Sequence, residues 1–416
     1  MSFQQGLSGL NSSAKALDVI SNNVANTNTI GFKAGRAEFF DVYAAALNGA
    51  QAGVQVGIGS AIGSVSQLFS QGNITTTNNP LDVAVNGNGF FRMTNSDGTI
   101  AFTRNGQFDI DQNGFVANSQ GFKLTGYSAI NGVVQAGGEP RALRLDYSDV
   151  QPKASTGLTL SMSLNSGDDI SPSFNPANPA PLDRNNLTAG GYNFSTSATA
   201  YDTLGNPHTL TYFFVKSAAA TWDVHYQVDG TGSAVALTPA MQFDTNGALT
   251  AGGNYAGQML DFSSVGASAA QAIDMDLSGS TQFGGTFGVN TLNQDGYASG
   301  RLTGVTIGKD GVILGRYSNG QSRDLGQVVL ANFASPNGLL SMGGNMWAES
   351  PDSGQPIVGS PGTANLGLMT AGSLEEANVD LTAELVNLIV QQRAYQANAQ
   401  SVRAQDQILQ TIVNLR

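Results

Sequence analysis

The residues that could do chemistry are few, and the first set has the spacing of a calcium-binding loop. Asp109, Asp111 and Asn113 place side-chain oxygens at alternate positions before Gly114. The twelfth position of such a loop is Gln120 here, where a bidentate Glu is needed, and the flanking residues have the pattern of strands. The spacing therefore predicts a hairpin turn, and we expect no metal site in this segment.

The two histidines are the next candidates. His208 and His225 each lie near a predicted strand without an obvious ligand partner, and the chain has no cysteine. Two imidazoles alone cannot form a zinc site. We expect both side chains on the surface of a strand.

Phosphate-binding and nucleophilic motifs are missing as well. Gly57 and Gly59 lack the third glycine and the helix of a dinucleotide-binding fingerprint. Gly308 and Lys309 are followed by Asp310, whereas a P-loop has Ser or Thr at that position. No G-x-S-x-G segment is present. We therefore expect no catalytic residue, no metal-binding residue, no cofactor and no enzymatic activity.

The composition favours a β-rich, turn-rich chain. The 416 residues suffice for two or three domains, only 12% are charged, and the 52 glycines are nearly twice the usual share. We expect a mainly β chain with helix concentrated at its ends. The net charge of −12 argues against a nucleic-acid partner, because no cationic patch is available to bind phosphates.

Targeting and membrane segments are not apparent. No run approaches 18 apolar residues, and no basic stretch at the N-terminus is followed by an apolar one. We expect no membrane insertion and no cleaved signal peptide, so any export would use an uncleaved signal.

The element that organises the chain is the segment from Asp380 to Arg416, which carries an apolar heptad stripe. Asp380 is the predicted N-cap, and Glu384 suits the first turn. Steps of four and three connect the stripe residues, as in a helix that lies against another helix. Gln392 and Asp406 interrupt the stripe. Its apolar members are Leu381, Leu385, Leu388, Tyr395, Ala399, Val402, Leu409 and Val413.

Further apolar residues widen this stripe beyond a two-helix seam, so the helix is expected to have more than one neighbour. These residues are Val386, Ile389, Val390, Ile408 and Ile412.

A second heptad stripe occupies the N-terminus, in a helix expected from Ser2 to Ala25 that is weakened by Gly6 and Gly9. Seams at both termini predict a pair of terminal helices and a subunit that assembles with copies of itself. The stripe comprises Phe3, Leu7, Leu10, Ala14, Leu17 and Val24.

An asparagine-rich motif follows at residues 21–33, S-N-N-V-A-N-T-N-T-I-G-F-K. Its small polar side chains compete with the backbone for hydrogen bonds, which is typical of a helix end. The motif resembles the N-terminal signature of the bacterial flagellar rod and hook protein family. The residues that carry this resemblance are Asn22, Asn23, Ala25, Asn26, Thr29, Gly31, Phe32 and Lys33.

Three further segments resemble the same family. Residues 81–91 (L-D-V-A-V-N-G-N-G-F-F) and 102–108 (F-T-R-N-G-Q-F) alternate apolar and polar side chains around glycine turns and are similar to its β domain. Residues 372–381 (G-S-L-E-E-A-N-V-D-L) resemble its C-terminal signature.

The central stretch, residues 151–297, reads as a separate all-β module with a Pro-rich loop and regular turn signals. The resemblance implies a nested subunit. Residues 1–36 and 373–416 would form a helical core, 37–80 a connector, 81–150 with 298–372 an inner β domain, and 151–297 an inserted outer β domain. Hook members of the family have such an insert, and the shorter rod members do not.

The resemblance implies a structural subunit of the flagellar hook. Such subunits assemble into a flexible curved tube that couples rod to filament as a universal joint and surrounds the export channel. The implied partners are other copies of the chain, distal rod, hook cap and hook–filament junction proteins, and the flagellar export apparatus. The implied location is extracellular, in the hook.

Two alternatives remain open at this stage. A distal rod protein of the same family should be shorter, and a secreted β-rich adhesin or glycan-binding protein would leave both terminal heptads unexplained. Gln392 and Asp406 could either set the helix register or face a channel.

Overall fold

A computed structural model of the chain describes residues 2–42, 57, 59–186, 190–268 and 270–414. The chain divides into two compact units. Unit 1 comprises Met1–Tyr147, Thr303–Arg316 and Ser322–Arg416, and unit 2 comprises Ser148–Leu302 and Tyr317–Gln321. The fold is mainly β with helices at both ends, as expected.

Two long helices occupy the ends of the chain. Helix α1 spans Ser2–Ala25 and helix α2 spans Leu381–Asn414, close to the predicted bounds. The predicted N-cap of α2 is confirmed, because Asp380 Oδ1 accepts the amide hydrogens of Thr382 (2.9 Å) and Ala383 (3.2 Å). Among the described residues, neither helix combines the length and apolarity that crossing a membrane requires.

Unit 1 contains the strands at both sides of the insertion. Before it lie β1 (Gly35–Val42), β2 (Gly59–Gln67), β3 (Ile74–Thr76), β4 (Val83–Asn86), β5 (Phe90–Thr94), β6 (Ile100–Thr103), β7 (Asp109–Ile110), β8 (Val116–Ala117), β9 (Lys123–Ile130), β10 (Val133–Val134) and β11 (Arg141–Ala142).

Unit 2 holds β12 (Gly157–Asn165), β13 (Phe194–Tyr201), β14 (Pro207–Ala218), β15 (Thr221–Val228), β16 (Thr231–Phe243), β17 (Leu249–Ala251), β18 (Asn254–Leu260), β19 (Gln271–Asp276), β20 (Thr281–Phe283) and β21 (Gly288–Gln294). The chain then continues through β22 (Leu302–Ile307), β23 (Val312–Tyr317), β24 (Ser322–Val328), β25 (Leu330–Asn332), β26 (Leu340–Gly343), β27 (Met346–Ala348), β28 (Ile357–Gly359), β29 (Leu368–Ala371) and β30 (Ser373–Glu375).

The part of unit 1 that follows unit 2 in the chain pairs with strands of the part that precedes unit 2. Antiparallel ladders join β3 to β30 and β4 to β29, and the main sheet runs β22-β23-β24-β9-β5-β6-β27-β26. These pairings explain why an insertion of about 150 residues is tolerated between β11 and β22. The core of the unit lies beneath this sheet, with Phe91, Met93, Leu124, Ile313 and Val328 among its buried members.

The β1–β2 hairpin follows α1 in the chain, and all of it except Gly35 and Arg36 lies in the predicted connector at 37–80. Its two strands pair from Gly35↔Gln67 to Val42↔Gly59. Val54, Val56 and Ile58, which alternate with small or polar residues in the sequence before β2, lie outside the described residues.

Unit 2 is a sandwich of two five-stranded sheets. One is β13-β14-β15-β16-β17, and the other is built around β12, which pairs with β19, β20 and β21. Buried side chains of both sheets form one core, at whose centre Trp222 is fully buried. Trp347, in unit 1, is also buried.

The calcium-like segment is a hairpin turn between β7 and β8, as predicted. Asp111 Oδ1 accepts the amide hydrogens of Asn113 and Phe115, both at 2.8 Å, so the carboxylate is occupied by its own backbone. Within the described ranges, no group of three or more His, Cys, Asp or Glu side chains could hold a metal ion.

The expectation for the histidines was wrong for His208, which is buried at the start of β14. Its ring lies between the carboxylates of Asp202 and Asp229, which hold it below the surface of unit 2. His225 is half-buried on β15, with its ring 4.4 Å from that of Phe174.

Asp295 provides a test of how unit 2 depends on pH. Burial opposes ionisation of Asp295, but its bonds to the Thr156 hydroxyl, the Gly157 amide and Lys153 outweigh that effect and hold the pKa of Asp295 well below its usual range. Asp295→Asn should lower the free energy of unfolding at pH 7 by about 1 kcal/mol, a modest loss because the carboxylate is partly exposed.

The parent loses this contribution as the pH falls through the depressed pKa of the folded state, so the difference between parent and variant should shrink at the acid end. Urea unfolding at pH 7 and pH 3, monitored by Trp222 fluorescence in a Trp347→Phe background, measures this difference in the free energy of unfolding. Asp169→Asn removes an exposed charge from the same unit and serves as control. An equal difference at both pH values would contradict the assignment.

Candidate assembly site

The two terminal helices form an antiparallel pair inside unit 1. Near the start of α1, a Cβ at Gly6 would lie 3.0 Å from Val402 Cγ2, and one at Gly9 would lie 2.9 Å from Asn398 Nδ2. Near the end of α1, Asn23 Nδ2 donates to Glu384 Oε1 at 3.2 Å. The two glycines, predicted to weaken the helix, are thus where side chains of α2 approach the backbone of α1.

The inner face of α1 is made of small and polar residues. Its buried side chains are those of Ser13, Ala16 and Asn23, which with Gly6 and Gly9 follow one face of the helix at steps of three and four. The predicted N-terminal stripe lies beside this face. Phe3 and Leu7 are exposed, whereas Leu10, Ala14, Leu17 and Val24 are half-buried.

Helix α2 buries no side chain among its described residues. Of the predicted C-terminal stripe, Leu388, Ala399 and Val402 are half-buried, and Leu381, Leu385, Tyr395 and Leu409 are exposed. Val413 lies in the helix, but its side chain is outside the described residues. The contact with α1 therefore uses only part of the predicted stripe.

The outward side of the first turns of α2 forms an exposed apolar surface, here called the open apolar face. Leu385 is 44% exposed and Val390 is 55% exposed, values that a packed leucine or valine would not keep. Its members are Leu381, Leu385, Val386, Ile389 and Val390. Soluble monomers rarely expose contiguous apolar patches of this kind unless they bind a partner.

The neighbouring hairpin extends this apolar character. Phe39 and Phe40 on β1 and Val65 on β2 are exposed. A recess of about 340 Å³ lies between the helices and the hairpin, with Ile20 and Phe39 in its wall and Glu384 at its edge. The helices and the hairpin thus present several apolar surfaces that this chain does not cover itself.

Hydrogen bonds among the residues of the asparagine-rich motif terminate α1. Asn26 Nδ2 donates to the Asn22 carbonyl (2.9 Å) and side chain (3.0 Å), and the Thr29 hydroxyl donates to Asn26 Oδ1 (3.1 Å). Ala25 is the last helical residue and is exposed. These polar side chains satisfy the carbonyls that a helix end leaves free.

Asn23 fixes the hairpin and α2 to the end of α1. Its side chain is buried and makes a two-way bond with Gly35, accepting from the Gly35 amide (2.8 Å) and donating to the Gly35 carbonyl (2.9 Å). Asn378, from the C-terminal signature, acts in the same way, accepting from the Ala34 amide (2.7 Å) and donating to the Leu68 carbonyl (2.6 Å).

The end of the motif enters the interior of unit 1. Gly31 has a positive φ of 69°, and a Cβ there would lie 2.5 Å from the Asn105 amide nitrogen, so only glycine fits. Phe32 and Lys33 are buried immediately after it.

Lys33 belongs to a buried ion cluster with Arg104 and Glu375. Lys33 Nζ lies 2.6 Å from Glu375 Oε1, and Arg104 Nη1 lies 3.1 Å from Glu375 Oε2. Glu375 also accepts the Gly72 amide hydrogen at 2.9 Å. Its side chain is 0% exposed, so the three charges sit together in the interior.

The backbone completes the cluster. Lys33 Nζ donates to the Ser70 carbonyl (2.7 Å), and Arg104 Nη2 donates to the Gly87 carbonyl (2.8 Å). Burial lowers the pKa of Lys33, an effect that Glu375 partly offsets and Arg104 reinforces. Two cations share one carboxylate, so Glu375 is the only negative charge among them.

Arg104, Glu375, Asn378 and the glycines of α1 were not predicted as site residues. Arg104 lies in the segment 102–108 and Glu375 in the segment 372–381, both already noted for their resemblance. The signal that could have found the charged residues is their place inside these two segments, in a chain with only 12% charged residues. One sequence does not show that Lys33 and Glu375, which are 342 residues apart, form an ion pair.

Four family models match the chain in order. They are the flagella basal body rod protein (residues 3–33), the flagellar hook protein FlgE/F/G D1 domain (84–151), the flagellar basal body protein FlaE D2 domain (163–297) and the flagellar basal body rod FlgEFG protein C-terminal region (370–415).

Whole proteins are similar over the full length. The flagellar hook protein FlgE of Salmonella typhimurium is 41% identical, and that of Escherichia coli K12 is 40% identical, each match covering 100% of both chains. The FlgE of Brucella suis is 32% identical over 100% of this chain and 98% of its own. The crystal structure of Helicobacter pylori FlgE2 has a TM-score of 0.52 at 15% identity, covering 72% of this chain and 100% of that one, which shows a shared fold.

The ion cluster predicts an order of effects among three substitutions. Glu375→Gln leaves Lys33 and Arg104 buried without a counterion, and should lower the free energy of unfolding of unit 1 by about 3–5 kcal/mol. Lys33→Met should cost less, because Arg104 and Glu375 remain a neutral pair. Glu376→Gln, at the half-buried neighbouring position, should have little effect. Urea unfolding followed by Trp347 fluorescence in a Trp222→Phe background measures all three, and a larger loss for Lys33→Met than for Glu375→Gln would refute the charge balance described.

Proposed function

This chain belongs to the flagellar hook protein family, and we propose that its open apolar face and predicted heptad stripes are where copies of it join to build the hook. The chain is a structural subunit of the bacterial flagellar hook. The full-length similarity to hook proteins favours the hook over the distal rod, and the family is one of structural proteins.

The observation that carries the proposal is the exposure of α2. A helix of 34 residues that buries none of its described side chains gains little stability from packing within its own chain. Covering the exposed half of an aliphatic side chain contributes about 1 kcal/mol, and the open apolar face offers five such side chains. Neighbouring copies of the chain would supply that cover.

We propose that the assembled helices line a central channel, with the remaining stripe residues, Phe3, Leu7, Tyr395 and Leu409, contacting helices of other copies. Val413 would belong to the same stripe. Leu10, Ala14, Leu17, Val24, Leu388, Ala399 and Val402 would then lie between the α1–α2 pair and its neighbours. Gln392 and Asp406, both exposed, are available for setting register or for facing the channel.

The tube formed in this way would be curved and flexible and would transmit torque from rod to filament as a universal joint. Flexibility requires many weak contacts between rigid β domains. A surface rich in Gly, Ser, Thr and Asn with only 12% charged residues suits such contacts, because it offers no strong ion pairs to fix one arrangement. We propose that residues 81–150 with 298–372 and residues 151–297 act as these β domains, joined to the helical core by the connector at 37–80.

Location and partners follow from this role. Proteins of the family form polymeric assemblies, and this chain is located in the flagellar hook. We propose that it reaches the outside of the cell through the flagellar export apparatus. At the two ends of the hook it would contact distal rod, hook cap and hook–filament junction proteins.

Leu385→Asp should block assembly and leave both units folded. The substitution removes the burial of the exposed half of a leucine, about 1 kcal/mol, and adds the cost of burying a charge on the open apolar face, so each contact between copies weakens about tenfold or more. Sedimentation and electron microscopy of the concentrated protein report tubes, and tryptophan fluorescence reports folding.

Leu385→Met is the matched control, since it keeps size and apolarity and should assemble as the parent does. If Leu385→Asp formed tubes as well as the parent does, the open apolar face would not be part of the assembly contact.

A further inference from the structure

His208 occupies an unusual position in unit 2. Its Nδ1 lies 2.6 Å from Asp229 Oδ2, its Nε2 lies 3.3 Å from Asp202 Oδ2, and only 6% of its side chain is exposed. A neutral imidazole has one N–H donor and one bare nitrogen, whereas imidazolium has two donors. With carboxylate oxygens facing both nitrogens, only the protonated ring can donate to both.

We propose that protonated His208 is a pH-sensitive clamp that holds one end of the unit 2 sandwich closed. When the ring loses a proton, one of its nitrogens presents a lone pair to a carboxylate, and two acceptors then face each other without a hydrogen between them. That arrangement is repulsive in a buried site, so the carboxylate and its turn must move or admit water.

The clamp joins three separate connections of the chain. Asp202 organises the β13–β14 turn, where its Oδ1 accepts the amide hydrogens of Leu204 and Asn206, both at 2.8 Å. Asp229 lies in the β15–β16 turn with a φ of 50°, and its Oδ1 accepts the Thr209 amide hydrogen at 2.7 Å. On the other side, the ring of Phe262 stacks on His208 with centroids 4.2 Å apart.

Phe262 follows β18 of the second sheet, so the imidazole contacts both sheets of the sandwich. Loss of its charge therefore affects the turns of one sheet and the connection after β18 of the other. An effect on the stability of the whole unit is expected, rather than a local change at one turn.

The charged groups around the ring all favour its protonated form. Asp202 and Asp229 face it from the two turns, and the segment that carries Phe262 contributes Asp261, whose carboxylate bonds to the Ser263 amide. Burial opposes the charge, but the bonds and charges of Asp229 and Asp202 outweigh it, so the pKa of His208 lies above the usual 6.5.

The direction of the pH effect follows from this. The pKa of His208 is higher in the folded state than in the unfolded state, so its protonation stabilises the folded state. This contribution to the free energy of unfolding is fully present below pH 6.5 and is lost as the pH rises through the folded-state pKa. Each unit of difference changes the unfolding equilibrium constant tenfold. His225 has the opposite shift, because burial lowers its pKa, so its contribution changes only below pH 6.5.

The window from pH 6.5 to 9 therefore isolates His208 within unit 2. The chain has no cysteine and only two histidines, and lysine and tyrosine ordinarily titrate higher. Lys33, whose pKa is lowered, belongs to unit 1, so a probe confined to unit 2 is required. Trp222 is that probe in the full-length chain carrying Trp347→Phe, since no other tryptophan remains.

The experiment is urea unfolding followed by Trp222 fluorescence from pH 6 to pH 9. We expect the unfolding midpoint of the parent to fall as the pH rises, because the charge of His208 and its bonds to the two carboxylates are lost. His208→Gln should have a lower midpoint at pH 6 and no further fall. His225→Gln, the matched control, should keep the fall of the parent.

Asp229→Asn keeps the imidazole and tolerates the left-handed backbone, so it serves if His208→Gln does not fold. It should move the fall to lower pH, because one of the two carboxylates has lost its charge. Histidine-selective NMR titration of the parent gives the direct reading, with His208 titrating above 6.5. The clamp is overturned if His208 titrates at or below 6.5, or if the unfolding midpoint of the parent does not change between pH 6 and 9.

Discussion

The carboxylate of Glu375 receives Lys33 on one oxygen and Arg104 on the other, with no exposure to solvent. These three residues come from the N-terminal motif, the β domain and the C-terminal signature, which lie far apart in the chain. A buried carboxylate requires its partners, because each charge left alone would carry a large desolvation cost. The cluster therefore specifies how the two ends of the chain return to the same β domain, and with it the pairing of β3 with β30 and of β4 with β29.

The pairing of the terminal helices follows from that return, and its chemistry differs from that of an ordinary helix pair. Gly6, Gly9 and Asn23 give a close and partly polar contact, which leaves most aliphatic side chains of α2 exposed. A subunit that must exist alone and then assemble has a physical reason for this division. The joint within the chain relies on polar bonds and close approach, and apolar burial is left for contacts between copies.

The sequence was sufficient to predict the mainly β class, both helices and the Asp380 cap, since each follows from local period or composition. The heptad stripes remain predictions of the contacts between copies. Within the chain, α2 meets Gly6, Gly9 and Asn23 of α1, and most of the large apolar residues of α2 stay exposed. His208 was misassigned because Asp202 and Asp229 approach it through turns, which one sequence does not position. The residues of the ion cluster depend on contacts across the whole chain and were out of reach for the same reason.

The central claim is that other copies of the chain cover the open apolar face of α2 in the assembled hook. Hydrogen exchange of the free chain and of assembled tubes, compared over residues 385–409, tests it most directly. The account predicts that amides of α2 exchange rapidly in the free chain, where the helix has little tertiary packing, and become strongly protected on assembly, while those of β14 and β15 in unit 2 change little. Equal protection of α2 in the two states would contradict it.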